Sequence, residues 1–320
     1  MAGTPLPARA ADGHQWQVLA VRPADPRAAL LWLPALGVPA RHYLPLAQAL
    51  ATGGVATYIH EWRGLGSSNL RAGRRRTWGY RELLTLDLPA SAALMSPAPA
   101  GTSPANGYGL PLPRIIGGHS LGGQLAGCLA ALATHDAGDT GDQPWRELWL
   151  VAAGTPYWRA FGHPQRLLLP AVYAGLRWLA QLRGHLPGRR LGFAGNEAGG
   201  LIADWSLVGQ SGRYRAAGLA VDLDAAMAKV RLPVAGGTLA RDWMAPASSL
   251  AGLVAKLAAT RDRHTVLDAD ELGVSADHFA WMRQPQAVAR HLLAGLPPVD
   301  RSRPPAPGAP SWELSRPVPP

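Results

Sequence analysis

Short apolar runs alternate with helix-like stretches along most of the chain, joined by brief connections, and few architectures accept that order. Residues 17–21 and 28–33 read as strands. Residues 41–51 carry Tyr43, Leu44, Ala47 and Leu50 at helical spacing and stop at Gly53-Gly54. Residues 55–60 are β-rich and end in the turn-forming run Arg63-Gly64-Leu65-Gly66-Ser67-Ser68. A strand, a helix and a second strand joined this tightly predict a parallel pair, because parallel neighbours are connected by a helical crossover.

The order repeats with a helix over 80–91, a Pro/Gly-rich loop over 96–113, a β-branched strand over 114–117, a small-residue helix over 121–134 and an apolar strand over 148–153. From 157 to about 228 the alternation stops, and Trp, Arg, Gly and Pro surround a helical core near 165–183. It resumes with strands over 232–236 and 264–268 and helices over 247–258 and 286–296. The expectation is an N-terminal arm over 1–16, one α/β core made from 17–156 and 229–296, a cap inserted over 157–228, and a Pro-rich disordered tail over 297–320. No internal repeat is visible.

Composition narrows the function classes. The formal charge is +10, but Lys229 and Lys256 are the only lysines, so the basic excess is nearly all arginine. With 37 Gly and 30 Pro it reads as a bias of the whole chain, and no nucleic-acid partner is expected. The single cysteine, Cys128, excludes an internal disulfide framework and any multi-Cys zinc site. The first 17 residues hold no apolar core behind a basic start. The longest apolar stretch, 167–182, is shorter than the roughly 18–20 residues of a membrane span and contains Arg177. A soluble cytoplasmic protein without an integral membrane segment is the expectation.

The chemistry points to Gly118-His119-Ser120-Leu121-Gly122, placed directly after one expected strand and before one expected helix. In a G-x-S-x-G elbow the serine sits on a cramped strand-to-helix turn, and Gly118 and Gly122 leave room for the neighbouring backbone. The helix N-terminus behind Ser120 offers backbone N–H groups and a partial positive charge to an oxyanion. A serine needs a base to take its proton and an acid to orient that base. Asp242 follows the expected strand 232–236, and His278 follows the last strand, in the order an elbow serine requires. Asp268 and Asp270 compete as the acid but follow the last strand. His264 competes as the base, yet it opens a strand. For the oxyanion hole, the first donor expected is the N–H of Leu121. The second comes from Leu33-Pro34-Ala35-Leu36-Gly37-Val38, with Leu36 preferred and Ala35 the alternative one position away.

These segments resemble the α/β-hydrolase superfamily from about residue 17 to 296. The chain is most similar to a serine-aminopeptidase-like, predicted-hydrolase group in which a Pro-Ala pair, here Pro34-Ala35, replaces the usual His-Gly of the oxyanion loop. The loop with Tyr43, the Arg63–Ser68 turn and the elbow carry the likeness, together with Leu186–Gly192, Asp204-Trp205 and Asp242-Trp243-Met244-Ala245-Pro246. The resemblance implies a mostly parallel eight-stranded sheet, a helical cap between the sixth and seventh strands, and a triad of Ser120, Asp242 and His278. It implies no cofactor and no metal.

The expected activity is acyl transfer from a small-molecule substrate to water through an acyl-enzyme. An acyltransferase using the same triad with an alcohol acceptor is the alternative. A non-catalytic binding protein would be expected to lack a triad member. Residues 166–215 hold seven arginines against Glu197 and Asp204, interleaved with Trp178, Phe193, Trp205 and Tyr214. This reads either as a solvated basic cap or as a receiver for an anionic acyl substrate. Arg71, Arg74, Arg75 and Arg76, near Trp78 and Tyr80, read either as a solvated loop or as a phosphate site.

Overall fold

The computed structural model describes residues 3–95, 112–138, 144–192 and 195–296. Most of the expected loop over 96–113, Phe193 of the cap and the expected tail over 297–320 lie outside the described residues. The main sheet contains β1 (Thr4–Arg9), β2 (Gln15–Val21), β3 (Ala28–Leu33), β4 (Val55–Ile59), β5 (Arg114–His119) and β6 (Glu147–Val151). A short antiparallel pair in the cap follows, β7 (His185–Pro187) and β8 (Asn196–Ala198). The main sheet is completed by β9 (Pro233–Leu239) and β10 (Arg261–Leu267).

Its eight strands lie in the order β1-β2-β4-β3-β5-β6-β9-β10. The second strand runs antiparallel to β1 and β4, and all other neighbours are parallel. The mostly parallel eight-stranded sheet and the helical insertion between its sixth and seventh strands, β6 and β9, are as expected.

The middle strands are covered on both faces, which is why they read as unbroken apolar runs. Every residue of β3 is buried. Its alternate side chains divide between two cores: Ala29, Leu31 and Leu33 join Leu125, Leu129 and Leu132, while Ala28, Leu30 and Trp32 join Leu46, Leu50, Val288 and Leu292. The first core lies under the helix Leu121–Ala137, and the second under the helices Leu44–Ala51 and Gln286–Leu293.

Several boundaries differ from the sequence reading. The expected arm contributes β1, although its segment Thr-Pro-Leu-Pro-Ala-Arg contains two prolines. Pro5 and Pro7 are two positions apart, so their missing N–H groups fall on one side of an edge strand, where no ladder bond is needed. The expected helix 41–51 begins as a 3-10 turn, Ala40–Tyr43, and becomes α-helical at Leu44, with Pro45 in its first turn. The expected helix 80–91 contains a π-helical turn, Leu83–Asp87. The last strand begins at Arg261, because an edge strand accepts the charged start Arg-Asp-Arg-His that argues against a buried one.

An ion cluster, buried at His14, Arg63 and Asp87, fixes the turn after β4. Asp87 accepts from Arg63 Nε and Nη2, each at 2.7 Å, and Asp12 accepts from Arg63 Nη1 at 2.6 Å. His14 bridges Asp87 and Ser68 at 3.0 and 2.9 Å. Two fully buried ring nitrogens and a carboxylate thereby hold the Arg63–Ser68 turn against the β1–β2 hairpin.

Candidate active site

The strands β3, β5, β9 and β10 all point their carboxyl ends to one edge of the sheet, the edge where ligands bind in open parallel sheets. Ser120 follows β5 immediately and occupies φ 55°, ψ −119°, a conformation costly for any residue with a Cβ. Its N–H donates to Val151 O at 3.2 Å, and its carbonyl receives Gly123 N–H at 3.1 Å, so the turn is over-determined. The elbow glycines are needed for space. A Cβ on Gly118 would strike the Gly122 carbonyl carbon, and one on Gly122 would strike the Leu33 carbonyl oxygen.

Asp242 leaves the loop after β9, and His278 leaves the loop after β10. The structure brings them together: His278 Nδ1 lies 2.7 Å from Asp242 Oδ2, both side chains being buried. Asp242 Oδ1 accepts the N–H groups of Met244 and Ala245 at 2.9 and 3.1 Å, which fixes the carboxylate plane. The His278 carbonyl accepts from Trp281 Nε1 at 3.1 Å. The competing residues are engaged elsewhere. Asp268 caps the helix Ala269–Leu272, with its side chain accepting the N–H groups of Asp270 and Glu271. Asp270 is exposed on that helix. His264 pairs with Asp262 at 3.0 Å at the exposed sheet edge.

The loop after β3 is held at several points. Ala35 N–H donates to Tyr43 Oη at 2.8 Å, Trp62 Nε1 donates to Pro34 O at 3.0 Å, and Val38 N–H donates to Ala35 O at 3.1 Å. Buried Glu61 accepts Ala40 N–H at 3.1 Å and Ser67 N–H at 3.4 Å, joining this loop to the turn after β4. The Ala35 amide is therefore engaged, and among the described residues the Leu36 and Leu121 amides have no hydrogen-bond acceptor.

Tyr43 also connects the loop to the elbow. Its Oη is hydrogen-bonded to His119 Nδ1 at 2.8 Å, and the His119 ring packs 4.7 Å from that of His278. Burial pushes the His119 pKa well below the ordinary histidine value, and the adjacent His278 adds to this. Burial likewise raises the Tyr43 pKa, so the pair stays neutral.

Ser120, His278, Leu36 and Leu121 line one cavity of about 470 Å³ roofed by the cap. Phe161, Val172, Tyr173, Leu176, Trp205 and Trp243 make its wall mostly apolar, and among the described residues no arginine is in the lining. Sequence reasoning did not single out Gln124, which also lines the cavity and is 5% exposed, with Oε1 buried and unpartnered. The available signal was its spacing: four residues after Ser120 on a helix lies on the same face, one turn further.

No protein-family model matches this sequence, and no curated protein sequence matches it. Solved structures do. A hydrolase from Pseudomonas aeruginosa superposes with a TM-score of 0.59 at 16% identity, covering 92% of this chain and 98% of its own. The esterase domain of a Rhodothermus marinus protein gives 0.56 at 16% identity, over 92% and 97% of the two chains. An alpha/beta hydrolase from a Penicillium species gives 0.54 at 14% identity, over 91% and 99%. The fold is that of the α/β-hydrolases. Ser120 stands on the tight turn between β5 and the helix Leu121–Ala137, and the helical insertion lies between β6 and β9.

Proposed function

We propose that this chain is a serine hydrolase that cleaves an ester, thioester or amide bond of a small-molecule acyl substrate through an acyl-enzyme. One observation carries the reading: the 2.7 Å contact between His278 and Asp242, beside a cavity that His278 lines together with a serine on a strained strand-to-helix turn. With Nδ1 turned to Asp242, His278 has Nε2 left to accept the Ser120 proton. Oγ of Ser120 bonds to the acyl carbon, and the carbonyl electron pair moves onto oxygen. The N–H groups of Leu36 and Leu121 donate to that oxyanion, while the Asp242 carboxylate stabilises the imidazolium. Collapse expels the leaving group, which takes the proton from His278. Water, deprotonated by the same imidazole, then releases the acid and regenerates Ser120.

The apolar wall suits an acyl chain, and Gln124 offers it one polar contact. Among the structural neighbours, the esterase domain and a thioesterase domain from the curacin biosynthetic pathway bear names of this chemistry, which supports the reading by analogy of fold. The test is covalent labelling by a fluorophosphonate probe alongside turnover of a short-chain p-nitrophenyl ester. Wild-type protein should label and turn over, and Ser120→Ala should lose both, with kcat falling by about 10³-fold or more. Wild-type turnover in purified Ser120→Ala would overturn it.

A further inference from the structure

The helix Gln165–Arg183 carries apolar side chains on its outer side as well as on the side that faces the core. Of its 19 residues only Tyr173 and Ala180 are buried, and its inner side roofs the cavity through Leu169, Tyr173 and Leu176. The outer side carries Leu167, Ala171, Ala174, Trp178 and Leu182, one stripe at i, i+4 and i+3 spacing that runs about 22 Å along the helix. Leu167 is 68% exposed, Trp178 63% and Leu182 54%, and the adjoining Leu168 is 59% exposed. A continuous apolar strip of this length on a water-facing surface marks an interaction site.

The charges around the strip indicate the partner. At helical periodicity Arg166 and Arg177 fall on one flank and Arg183 on the other, and the helix contains no Asp or Glu. Arg189 and Arg190 are exposed in the short helix Gly188–Leu191 that follows β7. Arg166, Arg177, Arg183 and Arg190 form no ion pair among the described residues, and Arg189 is near enough to buried Glu197 to offset part of its charge. No helix of the described residues is long and apolar enough to cross a membrane. An apolar strip flanked by arginines suits a helix lying in the plane of an interface, where leucine and tryptophan enter the acyl boundary and arginines meet anionic headgroups. A second copy of the chain suits it poorly, since a two-fold contact through this face would bring arginines together with no carboxylate on the helix to offset them.

We propose that the outer face of the helix Gln165–Arg183 docks this protein on an anionic lipid surface. Val172 belongs both to this outer side and to the cavity lining, and Leu191, Trp243 and Phe279 also line the cavity while remaining exposed. Docking therefore sets the cavity mouth against the lipid. The proposal does not depend on the hydrolase reading, because its test measures binding.

The test is co-sedimentation of the full chain with vesicles of phosphatidylcholine alone and of equimolar phosphatidylcholine and phosphatidylglycerol. The expected result is pelleting with the mixed vesicles, weaker by about tenfold or more on phosphatidylcholine and weaker as salt rises. Leu167→Ser/Trp178→Ser/Leu182→Ser should lower partitioning by about tenfold or more. Arg166→Gln/Arg183→Gln should weaken binding to the anionic vesicles only, and this surface pair keeps the test open if the serine variant fails to fold. No pelleting with either vesicle, or equal binding by wild type and the two variants, would overturn the proposal. So would a dimer seen by light scattering that the serine variant dissolves, which would assign the face to a second copy.

Discussion

Replacing Glu197 with Gln should stabilise the protein in a pH-dependent way that can be calculated beforehand. Glu197 sits in β8, 2% exposed, with Oε1 accepting Gly195 N–H at 2.9 Å and Arg189 as the cation that partly offsets its charge. Burial pushes its pKa from 4.5 up to about 7. Between those values the folded chain holds a proton that the unfolded chain has released. The stability from this group is therefore fully present below pH 4.5 and lost as pH rises through 7. The separation is worth about 3 kcal/mol at about 1.4 kcal/mol per pH unit. Gln keeps the acceptor for Gly195 N–H and never ionises. Urea denaturation of both proteins at several pH values should show them alike near pH 4.5, with the variant ahead by about 3 kcal/mol near pH 8. A Cβ built on Gly195 would lie 3.5 Å from Gly37 Cα, so this hairpin rests on the loop that carries Leu36. The ratio of variant to wild-type hydrolysis should rise across the same window. Stability curves that stay parallel from about pH 4.5 to 8 would refute the reasoning.

Tyr43→Phe removes the oxygen shared by Ala35 N–H and His119 Nδ1, leaving buried polar groups unpaired; denaturation should show a loss of about 1–3 kcal/mol, and steady-state kinetics a lower kcat with KM little changed. Asp242→Asn preserves an acceptor for Met244 and Ala245 but presents an amide donor to His278, so the imidazole adopts the wrong tautomer and kcat should fall by about 10⁴-fold while thermal stability changes little. Gly122→Ala places a methyl on the Leu33 carbonyl; overpacking should cost about 1–3 kcal/mol by denaturation and displace the loop bearing Leu36, lowering ester turnover.

The parts of the fold readable from sequence were those where local pattern and burial agree. The apolar run Ala28–Leu33 reads as a strand, which the structure covers on both sides, and Gly118-His119-Ser120-Leu121-Gly122 carried its own strand-to-helix context. The order of Ser120, Asp242 and His278 placed side chains from three loops at one edge, where the structure joins the last two by a hydrogen bond. Less was readable where tertiary contacts override local preference. The strand Thr4–Arg9 hides behind its prolines, and β10 behind its charged start. The helix 165–183 was expected, but periodicity alone does not say which side faces water, so its outward leucines and tryptophan were read only as part of a basic cap. Glu197 matters because of what surrounds it, and no neighbour in sequence announces that burial.

The insertion between β6 and β9 has a consequence for how such a protein can diversify. The two strands that bracket it are hydrogen-bonded neighbours, with Leu148 opposite Val234 and Trp149 opposite Ala235. Because β6 and β9 are parallel, the intervening chain leaves at the carboxyl edge of the sheet and re-enters at its amino edge, and both its ends are held by the core. Lengthening a loop closed in this way costs little, because closure entropy grows only with the logarithm of its length. A graft that keeps Leu223, Ala226 and Met227, which pack in the core with Leu125 and Leu129, would exchange the roof of the cavity and leave Ser120, Asp242 and His278 on undisturbed strand ends. On the proposed function and docking, acyl preference and surface attachment would then change together in one recombination event, while Ser120, Asp242 and His278 are inherited unchanged.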